Sequence, residues 1–171
     1  QTIGEGDLTA MQDEIKKNAG TYRAAELEVF LLDRKVADGL KKRASVATLA
    51  ADYEKLLTAY PKEVLAQANL ATYIWWQIGI CRESGTEPGK AVEAFAKVAA
   101  ADTAGFKLNA LEHLASCADR AGDKTKAVAT YRQLFDLTKS NLEPAKADAD
   151  PALCSNRSAE TLFGCLARHF R

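Results

Sequence analysis

Apolar positions recur every three or four residues along most of the chain, which is the spacing of one face of an α-helix. Between Asp7 and Asn18, Leu8, Met11 and Ile15 share such a face, and Gly20 stands where a helix would end. From Thr21 to about Arg43, Leu27, Phe30 and Leu31 mark a longer helix with Gly39 near its end. Ser45 is placed to cap the next one, in which Leu49, Tyr53, Leu56 and Leu57 recur up to Pro61. Leu70, Tyr73, Ile74 and Ile78 stripe a helix from about Lys62 to Arg82. Glu83 to Gly89 gathers Ser84, Gly85, Pro88 and Gly89, so it predicts a loop. Helices follow at about Lys90–Ala101, Phe106–Arg120 and Lys124–Lys139, with Gly122–Asp123 as the turn between the last two. Ser140 to Arg157 carries Pro144 and Pro151 and reads as an irregular connection. Ser158 then opens a final helix with Leu162, Leu166 and Phe170 on one face. No stretch alternates as a strand would. Short loops between apolar-striped helices imply antiparallel αα-hairpins.

Two of these hairpins repeat one another at an offset of 36 residues. The first pairs Tyr73–Cys81 with Ala91–Val98, and the second pairs Ala110–Cys117 with Ala127–Leu134. In each, a large residue in the first helix is followed three and four positions later by an aliphatic and a small one. In each, the second helix carries an alanine and then an aromatic four residues on. Gly79 and Ala115 would let the two helices of a hairpin lie close, and Trp75 and Phe95 would fill the seam. One hairpin cannot bury both its faces, so neighbouring units must stack.

The pattern resembles the tetratricopeptide repeat family, which has W-x2-L-G-x2-Y in its first helix and A-x3-F followed by a proline in its second. Trp75, Ile78 and Gly79 match the first motif, while Arg82 takes the place of its tyrosine. Leu114, Ala115, Gly122, Ala127 and Tyr131 match the next unit. The resemblance covers about Leu49 to Lys139, and the closing proline is missing after both later repeats. It implies an all-α fold of stacked antiparallel αα-hairpins, a right-handed solenoid with a C-terminal capping helix. Residues 1–171 would form a single domain: a degenerate first repeat at about 21–61, repeats at about 62–102 and 106–139, an irregular connection at 140–157 and a capping helix at 158–170.

Composition fits this architecture. Hydrophobic residues make up 47% of the 171, enough for a core, and roughly a fifth are alanine, the best helix former. The 23 basic and 23 acidic side chains cancel, which argues against a phosphate-tracking surface and hence against nucleic acid as a partner. No apolar run approaches the roughly 18 residues of a membrane span.

Candidate chemistry is sparse. Gly85 to Ala91 resembles a phosphate loop only faintly: it is one residue short, has Ala91 where the magnesium-binding hydroxyl belongs, and follows no strand. His113 and His169 form no motif, and the carboxylates sit mostly beside lysines, as on solvated helix faces. The sequence therefore predicts no catalytic residue, no metal site and no cofactor. The four cysteines include no CxxC and no Cys/His set at metal spacing. Cys81 and Cys117 occupy the same repeat position and are expected as buried thiols, or as a bridge if the register shifts. Cys154 and Cys165 are the expected disulfide. The even cysteine count, and a first residue Gln1 that fits a cleaved secretory signal or a trimmed chain, give an exported protein, periplasmic or secreted, as the expectation.

Function is expected on the concave groove that the first helices of stacked repeats create. By the family resemblance its lining positions are Tyr73, Trp76 and Ile80 in one repeat and Asn109, Glu112, Ser116, Asp119 and Arg120 in the next. Family members that clamp a peptide carboxylate place lysine and asparagine there, whereas this chain has Trp76 and Ile80. A groove with an aromatic half and a polar half suits an extended peptide or a partner helix. The leading expectation is a non-enzymatic scaffold for protein–protein interaction. The alternatives are a helical accessory domain of a larger enzyme and a small-ligand binder with a pocket near Trp75 and Trp76. Trp76 also has a plainer possible role as a covered core residue.

Overall fold

In the computed structural model, residues 5–86, 88–101 and 104–148 are described. They form helices α1 (Glu5–Lys17), α2 (Tyr22–Lys41), α3 (Leu49–Ala59), α4 (Lys62–Ala66), α5 (Leu70–Glu83), α6 (Pro88–Ala100), α7 (Ala104–Arg120) and α8 (Lys124–Asp148), with a 3₁₀ turn at Gln67–Asn69. There is no strand among the described residues. The all-α expectation therefore holds. By its internal contacts the chain divides into two units, Gln1–Leu134 and Phe135–Arg171. The described part of the second unit, 135–148, is helical.

Within the first unit the helices pack in succession: α3 against α5, α5 against α6, and α6 against α7. The connections 84–87, 101–103 and 121–123 are too short for anything but antiparallel neighbours. Two apolar clusters result. One joins α2, α3, α4 and α5 through Val29, Leu32, Tyr53, Leu65, Ile74 and Ile78. The other joins α6, α7 and the start of α8 through Val92, Phe95, Leu114, Cys117 and Ala127.

The small-to-large complementarity read from the repeat is realised physically. A Cβ added at Gly79 would lie 2.6–2.8 Å from three ring atoms of Phe95, so only glycine permits this approach of α5 to α6. Ala115 and Ala127 are buried as well. Gly39 performs the same service earlier, where an added Cβ would meet a Val46 methyl at 2.3 Å. Arg82, in the place of the family's tyrosine, ties three helices together. Its guanidinium pairs with Glu54 of α3 and donates to the Lys90 carbonyl of α6 at 2.9 Å.

Several boundaries differ from expectation. The helix expected at 62–82 is interrupted, because Ala68 and Asn69 both adopt left-handed backbone, at φ 48° and 58°. Ser45 does not cap α3: that helix starts at Leu49, and Ser45 Oγ accepts from the Ala47 amide at 3.4 Å. The intervening Val46 is buried, and its amide is satisfied by Ser84 Oγ across the fold at 3.2 Å. Thr21 does cap α2, accepting from the Ala24 amide. Glu83, expected in a loop, ends α5, and Pro88 and Gly89 begin α6; proline is well suited to a first helical turn, where its missing N–H costs nothing. The stretch 140–157, expected to be irregular, is helical as far as Asp148. The predicted capping helix at 158–170 lies outside the described residues.

The α4–α5 interruption yields a test. Left-handed backbone costs a non-glycine residue about 1–2 kcal/mol, and asparagine tolerates it better than alanine. Ala68 is exposed, so its methyl contributes little packing. Ala68→Gly should stabilise the protein by about 1 kcal/mol, read as a higher midpoint in thermal denaturation, and Asn69→Gly should gain less.

Candidate functional site

The residues expected to line a groove fall on α5 and α7. Tyr73, Trp76 and Ile80 rise along α5 and are each half-buried. Trp76 does not stand open. Its indole packs edge-on against Phe95 at 5.5 Å and His113 at 5.2 Å between centroids, and is tilted against Phe106 at 5.8 Å. It belongs to the margin of the second core cluster, as does Ile80. The Tyr73 ring meets Phe106 edge-on at 6.2 Å, and its hydroxyl donates to Asp33 Oδ2 of α2 at 2.8 Å. The neighbouring Trp75 points elsewhere, into the first cluster, with Lys97 Nζ of α6 lying 3.5 Å from its ring centroid. Adjacent helical residues diverge by about 100°, which is why the two indoles serve different clusters.

On α7, Asn109, Glu112 and Arg120 are exposed and Ser116 and Asp119 half-buried. The spacing of 109, 112, 116 and 120 puts these four on one helical face. Asp119 pairs with Lys124 at the start of α8. The structure thus brings the aromatic set and the polar set onto neighbouring helices. The aromatic half is committed to packing, and of the polar half Asn109, Glu112 and Arg120 are exposed.

Sequence reasoning passed over a polar cluster between these helices. Glu83 Oε2 lies 2.6 Å from Nδ1 of His113, and the Arg120 guanidinium donates to Glu83 Oε1 at 3.5 Å and to the Glu83 carbonyl at 3.3 Å. The buried Cys117 thiol lies close enough to feel the Glu83 charge. Thiol, imidazole and carboxylate in one place invite comparison with a nucleophilic dyad, but the thiol is not activated. Burial, together with the adjacent Glu83 charge, pushes Cys117 up to about 12, so it stays a protonated thiol and not a nucleophilic thiolate. Cys81 is likewise raised to about 12 by burial. Both are free, buried thiols, so the thiol alternative holds for this pair, while Cys154 and Cys165 lie outside the described residues. Glu83 and His113 are 30 residues apart, and only the alignment of α5 beside α7 connects them. The repeat offset contained that information, but the loop expected at Glu83 hid it.

A second polar assembly also went unread. Asp33 accepts from both the Tyr53 hydroxyl (2.6 Å) and the Tyr73 hydroxyl (2.8 Å), and Gln77 Nε2 donates to the latter at 2.7 Å. It joins α2, α3 and α5. A cleft of about 260 Å³ lies elsewhere, between the start of α3 and the end of α5, lined by Thr48, Glu54, Arg82, Thr86 and Lys90 among others. It shares no residue with the expected groove. No His/Cys/Asp/Glu group with metal-holding geometry is present among the described residues, and no helix among them is long and apolar enough to cross a membrane.

Antiparallel helix hairpins with a small-residue seam define an all-α fold. A family model described as a tetratricopeptide repeat matches residues 109–137, across α7 and the start of α8. That segment is similar to a tetratricopeptide repeat, and it falls in the second of the two units that the sequence pattern aligned. Such repeats are in general protein-interaction modules. Neither a curated protein nor a solved structure matches the chain.

Proposed function

We propose that this protein is a non-enzymatic scaffold that binds a peptide or partner helix along the face shared by α5 and α7. One observation supports the reading: Asn109, Glu112 and Arg120 are exposed on one face of α7, the helix whose Phe106 and His113 pack against the half-buried Trp76 of α5. A polar strip bordering an aromatic ledge offers hydrogen bonds for register and apolar contact for affinity. Because Trp76 is also a packing residue, the exposed α7 residues are the cleaner probes. The full chain, tagged and used to capture partners, should lose its partner when Asn109→Arg and Glu112→Arg are introduced together. The loss should be tenfold or more, about 1.4 kcal/mol, with an unchanged melting temperature. Capture unaffected by that pair would remove this face from consideration.

A further inference from the structure

We propose that Glu83 and His113 form a pH-operated clasp, which holds the end of α5 against α7 while the imidazole is protonated and slackens when it loses its proton. The geometry is that of a joint between two helices. Glu83 is the last residue of α5, at the negative end of the helix dipole, where a carboxylate is disfavoured unless cations approach it. Both approaching cations come from α7. His113 Nδ1 sits 2.6 Å from the carboxylate, and Arg120 reaches both that carboxylate and the Glu83 carbonyl. The imidazole is fixed in place by α6 and α5, stacked on Phe95 at 5.0 Å and 24° and meeting Trp76 edge-on at 5.2 Å.

The charged groups around the imidazole favour its cation. From α5 it faces Glu83, and from α7 itself it feels Glu112; Arg120 also reaches Glu83, and the neutral Cys117 thiol is nearby. The Glu83 hydrogen bond outweighs burial and raises His113 above its ordinary 6.5. Burial opposes the charge on Glu83, but the His113 bond and the neighbouring cations prevail and hold the carboxyl below its ordinary 4.5. A raised histidine contributes stability that is complete below 6.5 and is lost as pH rises through the folded value. A lowered glutamate contributes stability that is present above 4.5 and is lost as pH falls through its own folded value. The clasp is therefore tightest between about 4.5 and 6.5 and loosens on the neutral side. Trp76 touches the ring that changes charge, so it is a built-in reporter: a protonated imidazole in contact with an indole quenches its fluorescence. The clasp requires no partner and stands or falls independently of the proposed groove.

The test uses the full chain carrying Trp75→Phe, which leaves Trp76 as its single tryptophan. Trp76 emission should be quenched at pH 5.5 and recover with a midpoint above 6.5 as pH rises, with the thermal midpoint falling over the same range. Glu83→Gln should move the fluorescence midpoint down towards or below 6.5, and His113→Gln should abolish the transition. The unsubstituted protein gives a reading that depends on none of these variants folding. Its His113 imidazole resonance, told from that of His169 by His169→Gln, should titrate above 6.5. Over the same pH range, exchange of the Ser84 and Gly85 amides, bonded to the Ile80 and Arg82 carbonyls, should accelerate beyond its intrinsic pH dependence. A midpoint at or below 6.5, a midpoint unmoved by Glu83→Gln, or amide protection that ignores the titration each overturns the clasp.

Discussion

Phe95→Ala should destabilise the protein by about 3–5 kcal/mol, the usual range for removing a fully buried aromatic ring. Phe95 has no exposed surface. Its ring occupies the space against Gly79, stacks on His113 and receives the edge of Trp76. The loss should appear as a lower urea midpoint. The companion substitution is more diagnostic. Gly79→Ala in the unaltered protein drives a methyl into the Phe95 ring, and overpacking of this kind costs typically 1–3 kcal/mol. In the Phe95→Ala background that obstacle is gone. The same Gly79→Ala should then stabilise by about 1 kcal/mol, because alanine is the better helix former. A sign reversal between backgrounds, measured as a double-mutant cycle, is the signature of direct contact. Equal costs in both backgrounds would mean that α5 and α6 do not approach as described.

The Gly79–Phe95 contact was legible in the sequence because it is a local rule repeated. A small residue on one helix and an aromatic on the next recur at a fixed offset, and each occurrence supports the other. Ala115 and Ala127 were legible for the same reason, and both are buried. The break at Ala68–Asn69 was not, since the stripe of Leu70, Tyr73, Ile74 and Ile78 lies wholly after it and neither residue is a strong stop signal. What decides it is tertiary: both Leu65 and Leu70 enter the first cluster, and the turn between them re-aims α5. Pro144 misled in the opposite direction. A proline removes one helical hydrogen bond, but the good helix formers after it let the backbone continue to Asp148.

The candidate site was legible in outline and not in detail. Placing Trp76 and the α7 strip on neighbouring helices followed from the repeat register. Their different commitments did not, because how far an indole is covered depends on Phe106 and His113 of the following helix. The charged and polar links were the least visible part. Asp33 is 20 residues from Tyr53 and 40 from Tyr73, and no local pattern marks such an acceptor.

That acceptor is where the second large effect is expected. Asp33→Ala should cost about 3 kcal/mol. Each tyrosine hydroxyl now donates to a carboxylate, and hydrogen bonds to charged groups contribute about 1.5–3 kcal/mol apiece. Tyr53 is fully buried, so without Asp33 its hydroxyl has no water to turn to. Tyr73 is half-buried and still receives Gln77, so its share of the loss is smaller. Tyr53→Phe removes donor and demand together and should cost only about 1 kcal/mol; made on top of Asp33→Ala it should cost almost nothing further. The pH dependence separates the charge from the hydrogen bonds. Burial raises Asp33 above its ordinary 3.8 despite both tyrosine bonds, so the folded protein takes up the proton more readily than the unfolded chain. Stability from this group therefore grows as pH falls from neutral through the folded value towards 3.8. Asp33→Asn keeps an acceptor for the hydroxyls but cannot titrate, so it should be milder than Asp33→Ala at pH 7 and should lack that acid-side gain. Urea denaturation of the three proteins at pH 7 and pH 4.5 measures both effects. If Asp33→Asn and the unaltered protein change in parallel between the two pH values, the carboxylate is not held in the buried setting that joins α2, α3 and α5.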